Sequence, residues 1–268
     1  MTTRVFKIDP NYKVDLPTSK YKSTSKSKIV FFTGAGISAA SGIPTYRNTN
    51  GTTEDALWEN YDPIKCSHIK YIDSEDSIAF KQLMTRKLLE AKPNKAHHWI
   101  SGLQRLYGDR IHIITTNVDD LHEMSGSRNI NHLHGQSTYK CCSKRPLCNY
   151  RKHYGLGSQT TNKEPCPDCK HGGHLRTDVL LFGEQFGEEY QDAIDLINSL
   201  DEKDYIVSIG SSYSIFPFHH IFHASKATTI NITLDIDEDI NSCFDYVFIE
   251  PVVECIDNVD SIICKNFE

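Results

Sequence analysis

Short runs of consecutive apolar residues recur along the chain and constrain its fold more than any other feature. The runs are rich in β-branched and aromatic side chains and occupy residues 29–33, 111–114, 205–209, 230–234 and 246–249. Strands that are apolar on both faces are typical of a parallel sheet with helices on each side. The sequence therefore predicts an α/β fold with a doubly wound, Rossmann-like parallel sheet.

Amphipathic helical patterns lie between these runs. Asn94 can cap a helix and Gly108 can end it, and the apolar side chains between them share one face: Trp99, Ile100, Leu103, Leu106 and Tyr107. A second stripe has the same spacing and consists of Tyr190, Ala193, Ile194, Ile197 and Leu200. A third helix is predicted near residues 78–90. Helices that alternate with strands support the parallel topology.

The remaining segments interrupt this alternation and suggest a division of the chain. Residues 1–27 are predicted to be a flexible tail, since most of them are polar and rich in Lys and Ser. The main α/β domain comprises 28–135 and 176–268 and carries a helical insert at about 45–93. Residues 136–175 contain almost no aliphatic side chains and need another source of stability.

Cysteines provide that source. Five of the nine cysteines lie within residues 141–169, and Cys166 and Cys169 form a C-x-x-C pair with Pro167, typical of a zinc knuckle. The other pair is Cys148 with either Cys141 or Cys142, and His153, His171 and His174 are possible replacements for one ligand. We predict a closed, structural zinc site, with a redox disulfide as the alternative. The four scattered cysteines, Cys66, Cys243, Cys255 and Cys264, are predicted to be buried packing residues.

Composition and charge exclude several classes of function. The formal net charge is −6, which argues against nucleic acid as a direct partner because phosphate binding favours a basic surface. No apolar run approaches the roughly 20 residues that a membrane helix needs. The first residues resemble neither a secretory signal nor a transit peptide. The sequence thus predicts a cytoplasmic protein, with a nuclear location as the alternative.

Polar residues and glycines follow two of the predicted strands. Gly34, Gly36 and Gly42 come after the first strand and could let the backbone approach a phosphate, although the spacing differs from that of simple dehydrogenases. Asn117 and Asp119 follow the second and should face the ligand crevice at the carboxyl ends of the strands. His132 and His134 come shortly after and are candidates for acid–base chemistry.

Six sequence motifs, in the order found along this chain, resemble those of the sirtuin family, the NAD-dependent protein deacylases. The matching segments are GAGISAASGIPTYR, KPNKAHHWISGL, TTNVDDLHEMSG, HLHG, GGHLRTDVLLFGEQF and GSSYSIFPF, followed by TTINITLD with Asn231. The resemblance runs from about residue 28 to the carboxyl terminus. It departs from the family pattern at Thr45, Tyr46, Thr116 and Asp120, which leaves NAD binding expected. Family spacing from His134 favours Cys142 over Cys141 as the first zinc ligand.

The resemblance implies a role for each matching residue. The α/β domain would bind NAD through a set of loop residues: Gly34, Ala35, Gly36, Ser38, Tyr46, Arg47, Thr116, Asn117, Asp119, Gly210, Ser211, Ser212 and Asn231. Catalysis would involve Asn117 and Asp119, which hold the nicotinamide ribose, and His134 as the general base. An acyl-lysine peptide would pair as an added strand with Val179, Leu181, Phe182, Gly183 and Glu184. Structural zinc would be held by Cys142, Cys148, Cys166 and Cys169.

The implied reaction removes acyl groups from protein lysines and yields nicotinamide and an O-acyl-ADP-ribose. Relatives that remove acidic acyl groups carry a Tyr-x-x-Arg pair where this chain has Lys81 and Met84, so an acetyl or longer neutral acyl group is expected. Two alternatives stay open. The same pocket could transfer ADP-ribose to protein or hydrolyse NAD, or the chain could be a non-catalytic NAD-binding scaffold. The sequence leaves the oligomeric state undetermined.

Overall fold

A computed structural model describes residues 5–7, 26–47, 57–157 and 164–264. The strands are β1 (Val5–Lys7), β2 (Ile29–Thr33), β3 (Ile111–Thr115), β4 (Ile130–His132), β5 (Gly135–Cys142), β6 (Arg151–His153), β7 (Leu175–Val179), β8 (Tyr205–Ile209), β9 (Thr228–Thr233) and β10 (Tyr246–Ile249). The α-helices are α1 (Ala35–Ala39), α2 (Leu57–Asn60), α3 (Pro63–Ser67), α4 (Glu75–Glu90), α5 (Lys95–Tyr107), α6 (Leu121–Met124), α7 (Glu188–Asn198), α8 (Phe218–Ala224), α9 (Glu238–Asn241) and α10 (Val252–Cys264). Two 3-10 turns occupy Ile69–Tyr71 and Gly108–Arg110.

The apolar runs form the centre of a seven-stranded sheet. Its order is β1-β10-β9-β8-β2-β3-β4, and all neighbouring pairs are parallel except β1 with β10. Because chain order reverses on the two sides of β2, the connections after β2 and β8 leave in opposite directions and open a crevice at the carboxyl ends of the strands. The predicted doubly wound fold is confirmed.

Two strands of this sheet were not predicted. The edge strand β4 has only half-buried side chains, two of them polar, so no apolar run marks it. The strand β1 lies within the segment predicted to be a flexible tail, where it pairs antiparallel with β10. That prediction is therefore wrong for Val5–Lys7, because the sheet edge offers unpaired backbone groups to a short apolar segment. Residues 8–25 lie outside the described ranges.

Helices cover both faces of the sheet. On one face α5 and α10 bury Ile100 and Val259 against the central strands, and on the other α7 and α8 bury Ile197 and Phe222. The predicted cap of α5 is present as a capping box, in which the Asn94 side chain accepts from Ala96 N at 2.9 Å. The sequence patterns thus located α5 and α7 correctly, whereas α8 and α10 were not predicted, and α7 ends two residues before the last residue of its predicted stripe.

The helical insert packs as a unit of its own beside the crevice. Its described part contains α2, α3 and α4, whose apolar side chains form a separate cluster: Ile43, Leu57, Cys66, Phe80, Met84, Leu88, Ala91 and Leu121. Since Ile43 and Leu121 belong to the main domain, the insert is fixed to the loops that follow β2 and β3. Residues 48–56, in the same predicted segment, lie outside the described ranges.

The small module contains the antiparallel sheet β6-β5-β7. Its buried cluster holds only one aliphatic side chain, Leu175, beside Cys142, Cys148 and Cys166. This agrees with the sequence prediction that side-chain packing alone cannot hold the module. The strand β7 leads directly from the module to the crevice.

The scattered cysteines differ in their surroundings. Cys66 and Cys255 are buried among apolar side chains, as predicted. Cys243 packs against the core cluster next to histidines of α8 but is only half-buried, so the predicted burial is partial for this residue. The side chain of Cys264 lies outside the described set. Within the described ranges no helix combines the length and the apolar character needed to cross a membrane.

Candidate functional site

A cleft of about 530 Å³ opens at the carboxyl ends of β2, β3, β8 and β9, where the strand order reverses. Most of the residues predicted for NAD, catalysis and substrate line it: Gly34, Ala35, Gly36, Tyr46, Arg47, Thr116, Asn117, His134, Val179, Leu181, Phe182, Gly183, Glu184, Gly210, Ser211 and Ser212. Three predicted residues, Ser38, Asp119 and Asn231, are buried behind this wall instead. The structure therefore brings the predicted residues together in two layers.

Three glycines let the loops after β2 and β8 touch at the floor of the cleft. The Gly34 amide donates to Ile209 O at 2.9 Å, and the Gly36 amide donates to Gly210 O at 3.0 Å. Gly210 has φ +61°, and a Cβ atom there would lie 2.4 Å from Gly36 Cα. Both amides are thus used between the loops, which corrects the expectation that these two amides contact a phosphate. The glycines instead allow the close approach that shapes the cleft.

Gly210→Ala is expected to destabilise the protein more than an alanine at another left-handed glycine. Gly42 has φ +84° and open space around it, so Gly42→Ala carries only the backbone cost of about 1–2 kcal/mol. Gly210→Ala adds a backbone clash that we expect to cost about 1–3 kcal/mol more in the free energy of unfolding. Urea denaturation of the zinc-loaded variants measures both. Equal losses would contradict the close contact.

Behind the cleft wall, Ser38 connects the first two site strands. Its hydroxyl donates to Asp119 Oδ2 at 2.9 Å and accepts from Asn117 Nδ2 at 3.2 Å, and Asn117 Nδ2 also donates to Gly34 O at 3.0 Å. Burial raises the pKa of Asp119, while hydrogen bonds from Leu121 N and Ser38 oppose the rise. Of the three side chains only Asn117 lines the cleft, and Ser38 links it to the buried Asp119.

Asn231 lies in a similar buried position at the other end of the cleft. Its Nδ2 donates to Asn241 Oδ1 at 3.0 Å, and its Oδ1 accepts from the Tyr213 hydroxyl at 3.4 Å. Tyr213 lines the cleft and has φ +53°, a conformation uncommon for a tyrosine. Asn231 therefore reaches the predicted adenosine side through Tyr213, and its direct contact remains a prediction.

His134 is the ionisable side chain best placed for proton transfer in the cleft. Its Nε2 lies 2.8 Å from the Tyr190 hydroxyl, and the main chain of His134 is fixed by Leu180 N, which donates to its carbonyl at 2.9 Å. Burial lowers the pKa of His134 to about 4, against a backbone hydrogen bond with Thr116 that raises it. The imidazole is neutral at physiological pH and can accept a proton.

His132, the other histidine of the HLHG segment, is placed differently. Its Nε2 lies 2.7 Å from Glu123 Oε1, and its side chain is only 8 % exposed. It is not among the described residues that line the cleft. Of the two histidines considered from the sequence, only His134 is placed for chemistry.

Tyr190 is a site residue that the sequence analysis missed, because it was interpreted only as part of the apolar stripe of α7. The ring packs within a group of aromatic side chains, with centroid distances of 4.2 Å to Phe186, 5.4 Å to Phe216 and 5.9 Å to Phe218. Burial raises the pKa of the Tyr190 hydroxyl, so it stays protonated. Spacing alone gave no sign of this role, since a core tyrosine and a positioning tyrosine follow the same helical period.

Tyr190→Phe is expected to change the pH dependence of the reaction. A protonated Tyr190 that donates to Nε2 stabilises the neutral imidazole, so losing the hydroxyl raises the pKa of His134. We expect the acidic limb of kcat/KM to move to higher pH by less than about one pH unit, the equivalent of one neutral hydrogen bond. Tyr150→Phe, in the small module, is the matched control. An unchanged profile in Tyr190→Phe would show that the bond does not form in solution.

The loop after β7 reaches the cleft with all five predicted substrate residues, but its backbone is partly used. Phe182 N donates to Ser67 O at 2.9 Å, and Ile69 N donates to Phe182 O at 3.0 Å. Leu181 N donates to Glu184 Oε2 at 2.8 Å. The predicted added strand is thus corrected at Phe182, whose backbone already pairs with the segment between α3 and α4, and Leu181 N is occupied by Glu184.

Four cysteines converge in the small module. The thiols of Cys142, Cys148 and Cys166 lie within 4.8 Å of one another. A Cβ atom on Gly173 would lie 2.5 Å from Cys142 Sγ and 2.8 Å from Cys169 Sγ, which places the fourth thiol at the same point. Cys141 Sγ is directed elsewhere, 3.9 Å from Thr177 O. Four thiolates around one point are the donor set of a structural zinc site, and the cluster is compatible with that ion.

The family model described as "Sir2 family" matches residues 34–217 of this chain, more than half of its length. The chain belongs to the Sir2 family. Sir2-family relatives include an NAD-dependent protein deacetylase of Saccharolobus solfataricus, 37% identical over 85% of this chain and 89% of the relative. An NAD-dependent protein deacylase of Bdellovibrio bacteriovorus is 31% identical over 83% of this chain and 91% of the relative. The resemblance inferred from the motifs is confirmed.

Solved Sir2-family structures share the fold over the same extent. A crystal structure of a Sir2 homologue in complex with NAD superimposes with a TM-score of 0.72 at 30% identity, and covers 91% of this chain and 92% of its own. A Sir2 homologue variant in complex with ADP-ribose gives a TM-score of 0.74 at 29% identity, over 90% and 93% of the two chains. The fold of this chain is thus that of the solved Sir2-family structures over about nine tenths of its length.

Lys81 and Met84, the positions compared above with the Tyr-x-x-Arg pair, lie on α4. Lys81 Nζ donates to Ile72 O at 3.0 Å, and burial lowers its pKa to about 8. Met84 is buried in the core of the helical insert. Neither is among the described residues that line the cleft, so neither presents a charge to it.

Proposed function

We propose that this chain removes a neutral acyl group, acetyl or longer, from lysine side chains of proteins with NAD as co-substrate. The observation that carries the proposal is the neutral imidazole of His134 on the wall of a cleft at the switch point of a Rossmann-like sheet. Sir2-family relatives with this activity in their names match most of the chain. The products are free lysine, nicotinamide and an O-acyl-ADP-ribose.

The cleft fits a dinucleotide in shape and donor chemistry. The meeting of Gly34, Gly36 and Gly210 leaves no side chain on the floor, where a Cβ atom would collide. Ser211 and Ser212 lie at one end, and Arg47 offers a cation for a phosphate at the rim. When bound, NAD supplies a ribose carbon that accepts the acyl oxygen as nicotinamide leaves. The side-chain amide of Asn117, held by Ser38, would orient the nicotinamide ribose.

His134 would act as the general base. Because its pKa is depressed by burial, the imidazole is unprotonated throughout the physiological range and Nε2 has a lone pair available. The Tyr190 hydroxyl holds the ring through that same nitrogen, so their hydrogen bond must break when a ribose hydroxyl binds to Nε2. Tyr190 is thus a positioning residue, whereas His134 accepts the proton itself.

The peptide would lie along the loop after β7, where the predicted substrate residues reach the cleft. Since Phe182 is already paired through its backbone, the substrate strand would contact the side chains of Leu181 and Phe182 and the backbone beside them. The Glu184 carboxylate is held by the Arg176 guanidinium and stabilises the turn of this loop. Recognition through the peptide backbone would depend little on the amino-acid sequence of the substrate.

The acyl chain would be neutral, because nothing in the cleft near His134 would compensate a carboxylate. Among the described lining residues Arg47 is the single Lys or Arg, and it belongs to the predicted NAD phosphate region. The wall beside His134 is formed by the aromatic side chains of Tyr190, Phe186 and Phe216. Aromatic and aliphatic surfaces of this kind favour apolar acyl groups.

Structural zinc would be held by Cys142, Cys148, Cys166 and Cys169, closing the small module without an open coordination position. The described cysteines are all free thiols, which supports a reducing compartment such as the cytoplasm or nucleus.

A mass-spectrometric assay tests the proposal. Purified zinc-loaded protein is mixed with NAD and a panel of acetyl-, butyryl-, myristoyl- and succinyl-lysine peptides, and peptide mass, nicotinamide and ADP-ribose products are followed together. We expect deacylated peptide and O-acyl-ADP-ribose from the neutral acyl groups, with succinyl-lysine turned over more slowly. Nicotinamide release without deacylated peptide would overturn the proposal in favour of ADP-ribosyl transfer or NAD hydrolysis. Absence of turnover with retained NAD binding would indicate a scaffold.

A further inference from the structure

A second group of metal-ligating side chains lies in the main domain, outside the small module that holds the cysteine cluster. His219 and His220 are on α8, and Cys243 follows α9. One ligand atom from each lies within 4.8 Å of the other two, the same criterion that the cysteines of the small module meet. Within the described ranges these are the two groups with this property. Neither the fold nor the proposed reaction uses the second one.

The side chains of this group are available for a ligand. The Nδ1 atom of His219 is buried and has no hydrogen-bond partner among the described residues. A buried imidazole nitrogen without a partner costs free energy unless something binds there. The Cys243 thiol donates a hydrogen bond to Asp239 O at 3.5 Å, which a metal ion would replace when the thiol loses its proton, and His220 is exposed and able to reorient.

Neighbouring residues hold the group in place. The His219 ring packs 4.0 Å from the His220 ring and 5.1 Å from the Tyr213 ring, measured between centroids. The carbonyl oxygen of Cys243 lies 3.4 Å from His223 Nδ1, and this contact joins α8 to the segment after α9. Cys243 is therefore held near the helix through its main chain as well as its side chain.

The electrostatic surroundings favour a cation. Asp237 interacts electrostatically with His219, and Asp239 interacts with Cys243. Negative charge beside imidazole and thiol ligands favours a divalent cation.

We propose that His219, His220 and Cys243 form a second metal site, which takes Zn²⁺ or a divalent ion of similar ligand preference. Two imidazoles and one thiolate are ligands that zinc accepts, and three protein ligands leave a fourth position for water. Donor atoms of a tetrahedral zinc site lie about 3.3–3.8 Å apart, and the three donors here already lie within 4.8 Å of one another. The exposed His220 side chain can rotate to adjust its position. Unlike the cysteine cluster, this site is open to solvent, and its ion would exchange.

Cobalt uptake by the zinc-loaded protein tests the site. Protein whose cysteine cluster carries one equivalent of zinc is titrated with Co²⁺, while retained zinc is measured by elemental mass spectrometry. We expect one equivalent of Co²⁺ per chain, together with thiolate-to-cobalt charge-transfer and tetrahedral d–d absorption. Cys243→Ser should abolish the charge-transfer band, and His219→Gln should weaken binding at least tenfold. His98→Gln, an exposed histidine on α5, is the control that should bind as the wild type does.

The result that overturns the proposal is equally direct. Failure of the wild type to bind Co²⁺ beyond the zinc already present would exclude the site, as would a charge-transfer band that survives in Cys243→Ser. Circular dichroism of each variant shows whether it is folded, and the surface position of His220 provides a milder variant, His220→Gln, with the same expectation. The test does not depend on turnover, so its outcome is separate from that of the proposed deacylase activity.

Discussion

His134→Ala should lower deacylation by about 10²–10⁴-fold, the range expected when a general base is removed. Nε2 of His134 is the atom that can take a proton in the cleft, and its low pKa keeps it unprotonated at every pH of interest. Deacylated peptide is measured by mass spectrometry under saturating NAD and peptide, so that kcat is compared directly. NAD binding, measured by calorimetry, should change far less than kcat.

A loss of activity means little if the variant fails to fold, because His134 also binds the Tyr190 hydroxyl. His134→Asn keeps a polar group beside Tyr190 and should show a comparable fall in kcat. The matched control is His132→Asn, which removes a histidine two residues away that is bound to Glu123 and absent from the described cleft wall. If His132→Asn lost as much kcat as His134→Ala while both remained folded, the assignment of the base would be wrong.

The sheet and the site could be predicted from the sequence to different extents. Buried parallel strands can be recognised in a sequence as continuous apolar runs, because both of their faces are covered. All five predicted runs form strands. The capping box at Asn94 also depends on local sequence alone. By contrast, β4 consists of three half-buried residues that pair with β3 alone at the edge of the sheet. No local pattern distinguishes such a segment from a loop.

Within the site, what escaped prediction depends on contacts between distant segments. The hydrogen bond between His134 and Tyr190 joins residues 56 positions apart, and the pairing of Phe182 with Ser67 depends on how the helical insert packs. Motifs identified which residues belong to the cleft, but not that Ser38 and Asp119 stand behind Asn117 rather than on its wall. The partial burial of Cys243 beside α8 is likewise set by tertiary packing.

Replacing each of two neighbouring cysteines by serine should show which of them is the zinc ligand that stabilises the small module. Cys142 and Cys141 are adjacent in β5, and both are fully buried, yet only Cys142 is directed into the cysteine cluster. Cys142→Ser should lower the affinity for zinc by at least about 100-fold, more than the 10–100-fold typical of losing a partner outside the ligand set. Zinc retained after dialysis against EDTA, measured by elemental mass spectrometry, gives the result.

Loss of the ion should unfold the module, because Leu175 is the single aliphatic residue in its buried cluster and zinc binding contributes about 10–16 kcal/mol in small zinc domains. Amide hydrogen exchange should therefore rise across β5, β6 and β7 in Cys142→Ser, while the strands of the main sheet stay protected. Cys141→Ser alters a thiol that lies 3.9 Å from the Thr177 carbonyl and close to Asp178, outside the cysteine cluster, so zinc and protection should both be kept. Since β7 leads into the substrate loop, deacylation should fall with the module in Cys142→Ser alone. Zinc lost from Cys141→Ser and kept by Cys142→Ser would reverse the assignment of the ligand.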